Sequence, residues 1–166
     1  MAAMTEIDRP WIQSEFAKLI AAERSLITEA KSRASSPPDP TLGVLYHEIE
    51  IADERHLKVL ETIAARYGYT PSRSESGGVG ETLGRLRDKV SEIGSTPSDL
   101  LNRDLQAKSD ALHWETAWTQ AFVAIGDATS ADELSAVLKE DQVHHDALLE
   151  GLKHMIEQGA RGSVKT

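Results

Sequence analysis

The chain contains no cysteine. That absence excludes disulfides, iron–sulfur clusters, thiolate zinc sites and a rubredoxin-type iron centre together. No apolar run approaches the roughly 18 residues that a transmembrane helix needs, so no membrane span is expected. Residues 1–8 show no basic region followed by an apolar stretch, so no secretory signal is read and the cytoplasm is the default expectation. Period-2 strand patterns of useful length are also missing. Basic residues are in the minority, 18 against 27 acidic, for a net charge of −9. The densest basic stretch, 85–89, is surrounded by acids. A bare polyanion such as DNA is therefore not an expected partner. Aromatic residues are few at 5%, but hydrophobic residues make up 40%, enough to bury a core.

What is present is helical periodicity. A first helix is read from Arg9 to Ser35, with Asp8 as cap, Pro10 in the first turn, and Phe16, Leu19, Ile20, Leu26 and Ile27 on one stripe. Ser35-Ser36-Pro37-Pro38-Asp39-Pro40 breaks it. A second helix spans 40–67 with Leu45, Ile49, Ala52, Leu60 and Ile63 inward, and stops at Gly68. Residues 69–95 are rich in Gly, Ser and charge and enclose a short helix at 81–93. A third helix starts at Pro97, with Thr96 and Asp99 in capping-box positions, and ends at Gly126. A fourth opens on Ser130-Ala131-Asp132-Glu133, read as its capping box, and runs to Gln158. The short loops make each pair an antiparallel hairpin. The expectation is one all-α domain over 1–166: a four-helix bundle of two hairpins joined by a long crossover (69–95), with loose tails at 1–8 and 159–166.

Two similar pieces carry the chemistry, Asp53-Glu54-Arg55-His56 and Asp141-Gln142-Val143-His144. Spacing of three puts each acid and its histidine on one helix face, a turn apart. With 27 acids and six histidines in 166 residues, chance supplies about one such pair. Three occur, the third being Asp110/His113, and the count alone decides little. Phase adds more. Asp53 and His56 fall on the stripe of Ile49, Ala52, Leu60 and Ile63, and Asp141 and His144 on that of Val137, Leu148, Leu152 and Met155. His113 faces elsewhere. Buried acids cost several kcal/mol unless paired or metal-bound.

The first helix has one acidic break in its apolar stripe, Glu23, and the third has Glu115, accompanied by Lys108 and Thr119. Lys108 on that stripe suggests a partly wet face. Depth can be tested, because residues at one level of a hairpin have their midpoint in its loop. The midpoint of Glu23 and Asp53 is Pro38, and that of Glu115 and Asp141 is Ala128, both read as loop. Four carboxylates and two imidazoles would then meet in mid-bundle, an inventory suited to two metal ions bridged by carboxylates. The bland alternative for these residues is a solvated face or a buried hydrogen-bonded network. Glu50, Glu140 and His145 are read as solvated, Trp11, Trp114 and Trp118 as packing residues, and Tyr46 as a core tyrosine.

With these residues in hand, the chain resembles the ferritin-like superfamily of di-metal carboxylate four-helix bundles. Its pattern is a Glu followed by Glu-x-x-His, twice over, with a long crossover between hairpins. By that resemblance Glu23, Asp53, His56, Glu115, Asp141 and His144 would be the metal ligands, with aspartate, one methylene shorter, as the acid of both acid–histidine motifs. The resemblance implies two metal ions, iron first and manganese or zinc as substitutes, dioxygen or peroxide as small partners, and oxidase or ferroxidase-type activity. It assigns no catalytic residue. A homodimer through helix faces is compatible with it. Two other readings stand beside it: a metal-free bundle acting as scaffold or partner-binding module, and a mini-ferritin-like shell, for which the sequence shows no assembly surface.

Overall fold

A computed structural model describes residues 8–71 and 94–163. Among these residues four α-helices are formed: α1 (Arg9–Ser35), α2 (Gly43–Arg66), α3 (Pro97–Ala124) and α4 (Ala128–Ser163). The local signals work at most ends. Asp8 accepts from Trp11 N, and Thr96 and Asp99 form the reciprocal capping box. Gly68 and Gly126 sit at φ 79° and 81°, where a side chain would be strained. There the chain reverses so that Tyr69 N bonds Ala64 O and Asp127 N bonds Phe122 O.

Two boundaries differ from the sequence reading. Pro40–Leu42 forms a 3-10 turn ahead of α2, because Asp39 caps it through Thr41 N. The fourth helix begins at Ala128, not at Ser130, because Asp127 does the capping. Its side chain accepts from Ser130 N at 3.0 Å and its carbonyl from Ala131 N at 3.1 Å. Ser130 is instead buried and accepts from Arg66. At its other end α4 continues past Gln158 to Ser163, so 159–163 is helix rather than tail. The crossover helix expected at 81–93 lies outside the described residues.

Each helix packs against two neighbours: α1 against α2 and α3, and α4 against α2 and α3. Two apolar clusters give the directions. One joins Ile12, Phe16 and Leu19 at the start of α1 to Leu60 and Ile63 late in α2, Trp118 and Phe122 late in α3, and Leu134 and Val137 early in α4. The other joins Ala30, Tyr46, Ile49, Leu101, Leu105 and Leu148 from the opposite ends. Helices α2 and α3 therefore run the same way, and the order is up-down-down-up. The end of α2 and the start of α3 therefore lie at opposite ends of the bundle, separated by the length of α2, about 36 Å for 24 residues. All-α architecture, two hairpins and a long crossover are as the sequence implied.

The tryptophans divide. Trp118 is 5% exposed and meets Phe16 edge-on at 5.1 Å, whereas Trp11 and Trp114 are 57% and 40% exposed. Trp11 packs on Trp118 from outside, ring centres 5.9 Å apart. Its exposure follows from its place in the first turn of α1, outside the stripe set by Ile12 and Phe16.

Asp127 also accepts from Tyr67 Oη at 2.7 Å, tying the end of α2 to the start of α4. Asp127→Ala should cost about 0.5–2 kcal/mol, the range of a lost helix cap, and more than Ser130→Ala. Urea unfolding of both variants reads the order, and the reverse order would restore Ser130 as the cap.

Candidate metal centre

Between the two apolar clusters lies a polar layer. Glu23 comes from the middle of α1, Asp53 and His56 from α2, Glu115 from α3, and Asp141 and His144 from α4. All six are buried, four of them completely: Glu23, Asp53, Glu115 and Asp141 are each at 0% exposure. The helical phase of the sequence thus places them inward, and the hairpin midpoints place them at one depth. Asp110 and His113 are exposed.

Ligand-type atoms of Glu23, Asp53 and His56 lie within 4.8 Å of one another, as do those of Asp53, Asp141 and His144, and of Glu23, Glu115 and Asp141. The three groups share members and so form one cluster. Within it His56 Nδ1 is 3.3 Å from Asp141 Oδ1, 3.7 Å from Glu23 Oε1 and 3.8 Å from Asp53 Oδ1. His144 Nδ1 is 3.8 Å from Asp141 Oδ1. These are buried acid–histidine clusters capable of holding metal ions.

Two residues complete the centre that sequence reasoning placed elsewhere. Lys108 does not mark a wet face. It is 2% exposed, and its Nζ donates to Asp53 Oδ1 at 2.6 Å and Asp141 Oδ1 at 2.7 Å. The signal was available, since Lys108 is seven residues before Glu115 on one stripe; what was missing was that two aspartates from other helices would surround it. Glu140, read as solvated, keeps its carboxylate at the rim and meets His56 Nε2 at 2.9 Å and Arg55 at 2.6 Å. With Nε2 engaged by Glu140, the imidazole turns Nδ1 inward, toward Asp141 Oδ1. Tyr46 is the expected core tyrosine, and its hydroxyl donates to Asp104 at 2.5 Å, which Arg33 Nε also meets at 3.1 Å.

Hydrogen bonding inside the cluster is incomplete. Both oxygens of Glu23 and Glu115, Oδ2 of Asp53 and Asp141, Nδ1 of His56 and His144, and Oγ1 of Thr119 are buried without a well-formed hydrogen bond. Buried polar groups are nearly always satisfied, so such a concentration in one place needs protons or a further cation. A cluster of carboxylate oxygens and imidazole nitrogens, with no sulfur, suits iron, manganese or zinc. The fit comes from the donor set and from the unpartnered atoms.

The electrostatics follow from burial and crowding. Burial, with Asp141 and Glu23 adding like charge, pushes the Glu115 carboxyl up to about 9. Burial, with Glu23 and Asp141 adding to it and Lys108 opposing, pushes Asp53 up to about 7. For His56 burial disfavours the charged ring, but Asp141, Glu23 and Glu140 outweigh it and raise the imidazolium to about 10. Burial would also raise Asp141, yet His144, His56 and Lys108 hold it well below the ordinary carboxylate range. Lys108, disfavoured by burial, is held as the ammonium by Asp141, Asp53 and Glu23.

Comparison of the chain with known protein families, curated proteins and solved structures finds no match to it. The reading of this centre therefore stands on its own residues. Among the described residues no helix is long and apolar enough to cross a membrane.

At neutral pH Glu115 and His56 hold protons and Asp53 is close to half protonated. A divalent ion must displace these protons, so its affinity should rise as pH climbs from about 6 towards 10. Calorimetric titration with Mn(II) in buffers of different ionisation heat should show proton release at pH 7. Affinity that is flat across this range would mean these groups do not bind the ion.

Proposed function

We propose that this chain is a ferritin-like metal protein whose Glu23, Asp53, His56, Glu115, Asp141 and His144 hold iron, with manganese or zinc as substitutes. The observation that carries the reading is the set of unpartnered buried oxygens on Glu23 and Glu115 beside two acid-x-x-His motifs. Two fully buried glutamates with neither oxygen satisfied are costly in a protein that never binds a cation there. Bound iron would supply the redox couple for handling dioxygen or peroxide. The chain's own part is to hold and shield it: Glu140 orients His56, and the two apolar clusters close the centre from both ends of the bundle. A pocket of about 20 Å³, lined in part by Leu26, Tyr46, Asp104, Asp53 and Lys108, offers room for a water-sized molecule at the edge of the centre.

One observation favours a second reading, a metal-free bundle serving as scaffold or partner-binding module. Lys108 already neutralises much of the charge on Asp53 and Asp141. The double variant Glu23→Gln with Glu115→Gln separates the two, because it leaves the Lys108 bridge intact.

After expression with iron and manganese, the wild-type chain should carry metal by elemental analysis. The double variant should lose it, with apparent affinity down at least about tenfold, the scale seen for weakened metal sites. A wild-type metal content near zero, unchanged in the variant and without effect of chelator on the melting temperature, would establish the metal-free reading. Dioxygen-dependent oxidation of added Fe(II), lost in the same variant, is the corresponding readout for oxidase-type activity.

A further inference from the structure

The ferritin-like pattern of two glutamates and two acid-x-x-His motifs contains no lysine, yet Lys108 stands inside this centre. Its ammonium bridges Asp53 on α2 and Asp141 on α4, at 2.6 Å and 2.7 Å. Those are the acids that lead the two motifs. A positive charge shared by carboxylates of two helices does there what a bridging metal ion would do. Of the three ligand groups, only Asp53, Asp141 and His144 has two members already engaged by Lys108.

The other side of the centre has no such tenant. Lys108 makes no hydrogen bond to Glu23 or Glu115, whose oxygens are all unpartnered, and Asp141 keeps Oδ2 free. Glu23, Glu115 and Asp141 bring ligand atoms within 4.8 Å of one another. A second divalent ion, placed between Asp53 and Asp141, would sit against the Lys108 ammonium inside a buried layer, where like charges repel strongly.

We infer that the centre takes a single divalent metal ion, on the side of Glu23, Glu115 and Asp141, with the Lys108 ammonium occupying the place of a second. The inference rests on the metal reading of the preceding section and fixes its stoichiometry. It also makes Lys108 the residue that sets how many ions the bundle can hold.

The test is a metal count on the full chain. Stripped protein is titrated with Mn(II) and read by calorimetry and by native mass spectrometry. Wild type should saturate at one ion per chain and show the resonance of an isolated Mn(II). Lys108→Ala and Lys108→Met, refolded in the presence of Mn(II), should saturate at two and show a spin-coupled pair. Two ions in wild type would overturn the inference while leaving the metal reading intact. One ion in wild type and still one in a folded Lys108 variant would overturn it as well. No ion in wild type would overturn the metal reading itself. Should neither variant fold, the wild-type count and its resonance decide alone, one isolated ion supporting the inference and a coupled pair ending it.

Discussion

Four carboxylates in the dry middle of a helical bundle must be neutralised, and the contact that begins to do so is the Lys108 ammonium held between Asp53 and Asp141. Removing one partner of a buried ion pair typically costs about 3–5 kcal/mol, because the other charge is left without compensation. The bridge also ties α3 to α2 across the bundle diagonal and to α4 at its side. The polar layer between the two apolar clusters is thus built around one charge arrangement that links three of the four helices. Where the ammonium does not reach, at Glu23 and Glu115, protons or a cation must take over.

The layer has an inner and an outer part. Inside, acids and imidazoles crowd one another, so that Glu115 and Asp53 are pushed upward by burial while Asp141, surrounded by His144, His56 and Lys108, is held down. At the rim, Glu140 remains partly in water and accepts from His56 with Arg55 beside it. Glu140 keeps solvent while His56 is buried, and the contact fixes which imidazole nitrogen faces inward. Tyr46, Asp104 and Arg33 form a comparable polar chain one turn away, next to the small pocket that reaches Lys108.

Much of this was legible in residue order. Helical period found the four helices and put Glu23, Asp53, His56, Glu115, Asp141 and His144 on inner stripes, because burial of an apolar face fixes the azimuth of every residue on it. Hairpin arithmetic put them at one depth, because a short loop fixes the register of two antiparallel helices. The fourth helix start was misread, since Ser130 is as good a local cap as Asp127 until Arg66 and Tyr67 arrive from α2 to engage both. Trp11 packs on Trp118 yet stays largely exposed, because one turn of helix at a bundle end need not be covered on its outer side.

By itself, then, the sequence determined the helices, their hairpins, the long crossover between them and the six inward acids and histidines. All of these follow from periodicity and chain connectivity. The tertiary structure alone decided what Lys108 and Glu140 do. A lysine on an apolar stripe can snorkel to water or turn inward. Which one occurs depends on whether carboxylates from other helices converge on its ammonium, and that is a property of three chains of residues meeting in space rather than of any one of them.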